Sequence, residues 1–378
     1  LTMSIERMQQ YLALDPGNSL LACDVVEALA KMGDFEGAKE ALNTALTHNN
    51  KDAHLLSWKG HISLALKDYD EAISAYGNLF SEGYDQSGLK INCALAHFQK
   101  KAFAEANELL DDIEGLDVKN GLMKARCLAH MEHIPEAITL TRDLLTQCDS
   151  TEEADVLGAL SLFYVDDALY EEADKYQALA LGINAEQTDA LVTAASLALY
   201  KLDMDTAEQK VSRLMSMMPT SGRVLAMKAL IHMYRQELVE AISTYELACK
   251  EMPDHVGSRV NLAWCFFATG DLDTAEKTFN EAVEIEHNFA ECHGGLAVVK
   301  AYREEWNASK QLAKKALKLD AQCASALFAR SLYLKVKGMD EQAEMIMSGV
   351  MSFKSELAEQ NLSDTITLNF LTKKKLNG

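Results

Sequence analysis

The residue types that could do chemistry are thinly spread along this chain, and their spacing fits few reactions. His130 and His133 stand three apart around Glu132, and Cys292 precedes His293, so each pair offers two ligands of the kind that zinc accepts. Ile134 and Pro135 put the first pair at an interhelical turn, and neither pair has further ligands spaced to close a tetrahedron. The acidic pairs Asp111-Asp112 and Glu304-Glu305 fall at helix ends or turns, where they are solvated surface rather than paired catalytic carboxylates. Gly294-Gly295 lacks the strand and helix context of a phosphate-binding loop and suits a thin helix face. With no glycine-rich phosphate loop and no nucleophile elbow in the sequence, these residues predict no catalysis, no metal centre and no cofactor.

Composition narrows the class. Apolar residues at 48% and charged residues at 25% are ordinary globular usage, so the chain folds. Only 4 prolines and 19 glycines in 378 residues are too few turn formers for an all-β fold, which leaves helices. A net charge of −21, from 57 acidic against 36 basic side chains, repels phosphate backbones and predicts no nucleic-acid partner. The charge is polarised: residues 300 to 378 carry 13 basic and 9 acidic side chains. Such a dipole favours end-to-end self-association, so a homo-oligomer is one expected state. The 8 cysteines never form a CxxC pair and lie among helical apolar residues, which predicts buried thiols in a reducing, cytoplasmic setting. No run of 18 apolar residues exists to span a membrane.

The elements that must carry any site come from a repeat. Gly33-Asp34-Phe35-Glu36-Gly37-Ala38 is echoed at Lys67 to Ala72 and at Gly270 to Ala275. The closing small residue recurs as Ala38, Ala72, Ala106, Ala137, Ala173, Ala207, Ala241, Ala275, Ser309 and Ala343, and all but two of the gaps are 34. Other small residues stand 12 earlier, from Gly60 and Ala94 through Ala297 and Ser331, where they let two helices approach closely. Apolar spacing within each period is helical, as at Leu225, Ala229, Ala241, Tyr245 and Ala248. Gly33, Gly270 and Gly338 suit the turn between two helices, with Asp34 and Asp271 as caps of the second. A unit this regular buries its apolar face only by stacking on copies of itself.

This pattern resembles the tetratricopeptide repeat family in its bacterial-type multi-repeat form, a 34-residue helix-turn-helix with small residues at positions 8 and 20. In the unit from Val256 to Phe289, Leu262, Ala263, Phe266, Phe279 and Ala282 fall on the family's apolar and small positions. The resemblance implies an all-α, right-handed superhelical solenoid of about ten units. Residues 1–18 are then the second helix of a truncated repeat, 19–357 the stacked units and 358–378 a C-terminal cap, with a helix expected after Ser363 or Asp364. The units from Val118 and Ala154 are off-length, which leaves their register open.

The resemblance also places function on a concave face, formed by positions 2, 5, 6, 9, 12 and 13 of each first helix. In the middle and late units those positions hold Tyr200, Met227, Tyr234, Asn261, Trp264, Phe267 and Tyr302, and Asn92 occupies position 6 of an early unit. The lysines and arginines of the family's carboxylate-clamping members are missing around Asn261. The expectation is therefore a non-catalytic scaffold whose apolar groove holds a peptide or helical segment of a partner protein, with Asn261 bonding its backbone and Trp264, Phe267 and Met227 holding its side chains. The alternatives are a regulatory or substrate-docking arm of a larger enzyme or secretion and assembly system, and a self-assembling scaffold.

Overall fold

The structure, a computed structural model, describes residues 4 to 357, and the capping helix expected after Ser363 lies outside them. It contains 21 helices and no strand among the described residues. The chain divides into two compact units, Leu1–Leu169 and Tyr170–Gly378. In the first, α1 (Ile5–Leu14) stands alone, followed by the pairs α2 (Ser19–Lys31) and α3 (Phe35–His48), α4 (Ala53–Ala65) and α5 (Tyr69–Ser81), and α6 (Ser87–Gln99) and α7 (Phe103–Asp111). The pair α8 (Val118–His130) and α9 (Ile134–Leu145) follows, then α10 (Glu153–Asp166).

The second unit opens with α11 (Tyr170–Ile183). It continues with α12 (Thr188–Tyr200), α13 (Met204–Met217), α14 (Gly222–Tyr234), α15 (Leu238–Glu251), α16 (Val256–Thr269) and α17 (Leu272–Ile285). It ends with α18 (Ala290–Tyr302), α19 (Trp306–Leu319), α20 (Ala324–Val336) and α21 (Asp340–Leu357). Within each unit a first helix packs on its own second helix and on the first helix of the next repeat, as α4 does on α5 and α6. This is an all-α solenoid of helix-turn-helix repeats. The irregular spacing falls where α7 is cut to 9 residues and where a longer connection separates α9 from α10.

The periodic small residues are where the helices touch. All ten residues of the Ala38 to Ala343 series have no exposed surface. A Cβ on Gly60 would stand 2.4 Å from the Tyr76 ring, so only glycine admits that tyrosine. Where the series switches to Ser309, its hydroxyl donates to the Ala297 carbonyl at 2.8 Å, which satisfies a polar atom inside the helix pair.

The turns share one backbone conformation. Position 15 has positive φ in every repeat: Gly33, Gly270 and Gly338, and also Lys67, Lys101, Glu132, Ala168, Leu202, Gln236 and Glu304. This residue reverses the chain out of the first helix, and in several repeats the aspartate after it caps the next. Asp34, Asp68, Asp203 and Asp271 accept from the backbone N–H three residues on, at 2.9 to 3.3 Å.

Candidate functional site

The residues with metal-binding or catalytic chemistry are occupied structurally. His130 ends α8 and stacks on Phe103 with ring centroids 4.0 Å apart, while His133 is the N-cap position of α9. Cys292 is buried, which pushes its thiol up to about 12. His293 is buried too; its Nε2 donates to the His287 carbonyl at 2.9 Å, and burial lowers its pKa. Gly294 and Gly295 are contact points between repeats, where an added Cβ would stand 2.0 Å from Ser325 Oγ and 2.2 Å from the Phe279 ring. Among the described residues, no three His, Cys, Asp or Glu side chains are grouped to hold a metal.

The expected aromatic lining is corrected by burial. Trp264 and Phe267 are 0% exposed and Met227 is 7% exposed, so a partner's side chains cannot reach the two rings. Bulky side chains at these positions fill the gap between successive first helices and become core. Trp264 packs edge-on to Phe267 and Phe279, at 5.4 and 5.1 Å. Its Nε1 donates to Glu291 at 3.1 Å, and that buried carboxylate also accepts from Ser325 Oγ at 2.8 Å. One polar chain thus pins α16, α18 and α20 together. Tyr200 is half-buried and stacks on Tyr170 at 4.3 Å, and Tyr234 is half-buried against the same core as Trp264. Tyr302, 41% exposed, is the open one, its ring edge-on to Phe267.

The two asparagines have a common neighbour. Tyr76 and Tyr245, at position 24 of their repeats, are buried, and their hydroxyls make no hydrogen bond of normal geometry. Burial raises both phenol pKa values, and the side chains of Asn92 and Asn261, at position 6 of the following repeats, oppose that rise. Where position 24 is Phe279, position 6 is Gly295 lying against the ring. Asn261 therefore faces a tyrosine of the preceding repeat. Asn92 faces one as well, but it also borders open space: its Nδ2 lies 3.0 Å from Nε2 of His61.

That space is a groove of about 730 Å³ between α4 and α6, lined by Lys51, Asp52, His54, Ser57, His61, Tyr84, Gln86, Leu89 and Asn92 among others. Asp52 caps α4 by accepting from the N–H groups of His54 and Leu55, which fixes the start of the helix along the groove wall. His54, Ser57 and His61 then follow at helical spacing, and with Trp58 they also line a second cleft of about 420 Å³. The His61 ring packs edge-on to both Trp58 and Tyr76, and desolvation by burial lowers its pKa. Asn92 Nδ2 donates to His61 Nε2. His54, Ser57 and His61, which are not among the residues expected from the sequence, occupy groove positions 2, 5 and 9 of the repeat at Ala53. Ser57 and His61, polar at positions where most other repeats are apolar, carry the signal in the sequence; His54 does not, because its position is polar in most repeats.

Two tetratricopeptide repeat family models match, one over residues 26–87 and one over 232–299. A comparison with curated proteins gives no significant match. Among solved structures, the human IFIT1 dimer with m7Gppp-AAAA is 13% identical with a TM-score of 0.52, the match covering 88% of this chain and 89% of that one. A monomeric IFIT1 mutant with Gppp-AAAA is 14% identical, covers 88% and 90%, and has a TM-score of 0.53. A tetratricopeptide repeat protein from Parabacteroides merdae is 16% identical over 66% of this chain and 98% of its own, with a TM-score of 0.42. The two family matches, one in each compact unit, fall on the repeats whose spacing and helix pairs are described above, and this chain is a multi-repeat tetratricopeptide repeat protein.

Proposed function

We propose that this chain is a non-catalytic interaction scaffold and that the groove between α4 and α6 takes an extended peptide segment of a partner protein. The observation that carries the reading is an open groove of about 730 Å³ whose walls mix polar and apolar side chains and carry no net charge from Lys51 and Asp52. Ser57, Gln86, His61 and Asn92 supply donors and acceptors for a peptide backbone, and Tyr84 and Leu89 supply apolar surface for its side chains. Lys51 and Asp52 add one charge of each sign, so the groove has no net preference for an anion.

IFIT1, a protein of like fold, is seen with capped RNA. This groove has a single lysine in a chain of net charge −21, and phosphate binding draws on several cations, so we assign a peptide and not RNA. Selection of a random peptide library on the wild-type chain, repeated on a Ser57→Arg variant of matched circular dichroism, tests the assignment. Peptides enriched on the wild type lose at least tenfold in affinity on Ser57→Arg. Enriched peptides that bind both proteins equally, or an RNA oligonucleotide that binds where no peptide does, overturn it.

A further inference from the structure

Two polar side chains on opposite walls of the α4–α6 groove touch each other: Asn92 Nδ2 stands 3.0 Å from His61 Nε2. An amide nitrogen only donates, so Nε2 accepts and the proton of the neutral ring sits at Nδ1. The Ser57 carbonyl, one turn back on α4, acts on the same ring in the sense that favours an N–H, which a proton at Nδ1 provides. Behind the pair lies Tyr76, whose buried phenol has a raised pKa that the Asn92 side chain opposes. Opposing that rise is the action of a donor, so the amide nitrogen faces Tyr76 as well. Oδ1 of Asn92 accepts from no described residue. In the second unit Tyr245 and Asn261 form a matching pair, yet position 9 there is Leu230 and not a histidine. Burying the tyrosine therefore does not call for His61.

We propose that His61 is a positioning residue of the groove: by accepting from Asn92 Nδ2 it holds the amide so that Oδ1 receives a backbone N–H of the bound segment. The inference rests on the peptide reading of the groove. An asparagine free to turn offers a ligand its oxygen or its nitrogen, and so tolerates a segment with or without an N–H at that point. Held by His61 it offers the acceptor alone, because turning it would set Oδ1 against the lone pair of Nε2. The segment must then carry an N–H opposite Asn92, and proline is excluded there.

Two measurements on the full chain test this. Nitrogen-15 spectra of histidine-labelled protein report which ring nitrogen carries the proton, with His61 assigned by the signal lost in His61→Leu. The wild type shows the Nδ1–H form. Asn92→Leu keeps the bulk, removes the donor and returns His61 toward the Nε2–H form that predominates in water. The second measurement is the affinity of a library-selected peptide and of its single N-methyl derivatives. One derivative loses about fivefold on the wild type, the worth of one neutral hydrogen bond, and less than about twofold on His61→Leu or Asn92→Leu of matched circular dichroism. A wild-type His61 in the Nε2–H form overturns the proposal, and so do N-methyl penalties that are the same on His61→Leu as on the wild type; either result leaves the peptide reading standing. A library that yields no peptide overturns that reading and the N–H contact with it, and the tautomer of His61 then decides the orientation of Asn92 by itself.

Discussion

At the scale of single residues, the chain handles buried polar atoms by matching side chains across repeats. The Tyr245 hydroxyl is buried with Asn261 set against it, while Phe279, which has no hydroxyl, meets a glycine. Asn261→Ala should therefore cost about 1 to 3 kcal/mol, because it leaves the hydroxyl facing an apolar methyl. Adding Tyr245→Phe should recover part of that loss, with a coupling of roughly 0.5 kcal/mol or more in a urea double-mutant cycle. Strictly additive losses would show that Asn261 does its work elsewhere. A second residue, Glu71, ties three helices by accepting from Lys39 at 2.9 Å and Lys59 at 3.2 Å. Those ammonium groups hold its carboxyl down at about 2, against an ordinary value of 4.5. A depressed folded-state pKa contributes stability that is complete above about 4.5 and is lost as the pH falls toward 2. The side chains are about a quarter exposed, so screening limits the effect to the order of 1 kcal/mol. Urea midpoints at pH 5 and pH 2.5 should fall further for the wild type than for Glu71→Gln, and parallel falls would refute the assignment.

At the scale of helices and turns, the repeat was legible because packing imposes it. Two helices approach closely where a small side chain lies between them, so Ala38 to Ala343 mark each helix-turn-helix pair in the sequence itself. The turns were half legible. Gly33, Gly270 and Gly338 announce a positive φ, but seven other repeats adopt it with residues such as Lys67 and Leu202, whose identities give no sign of it. There the packing of the helix pair fixes the backbone and the side chain tolerates it. Lys67 is exposed at φ 61°, so the strain of a left-handed Cβ, about 1 to 2 kcal/mol, is present without compensating contacts. Lys67→Gly relieves that strain and costs roughly 0.5 to 1 kcal/mol in unfolded-state entropy, which predicts a net gain of about 0.5 to 1 kcal/mol. Lys67→Ala keeps the Cβ and should be near neutral. Thermal denaturation of the two variants decides it, and a destabilised Lys67→Gly would mean that the turn is unstrained.

At the scale of the whole molecule, the fold class could be read from the period, but the candidate site could not. Spacing says which residues of a first helix face inward, yet it does not say whether the next repeat covers them. Trp264 and Phe267 sit at groove positions and are covered, because their own bulk fills the space between α16 and its neighbours. His54, Ser57 and His61 sit at equivalent positions of α4, and beside them the following repeat presents Gly88 and Asn92, which leave a groove open. Small and polar neighbours leave a groove open where large aromatic ones make a core. The most direct test of this account is photo-cross-linking of a library-selected peptide carrying a benzophenone, with the attachment points mapped by mass spectrometry. The account predicts attachment to residues 51–61 and 84–92; attachment confined to residues 256–302 would contradict it and return the site to the aromatic repeats.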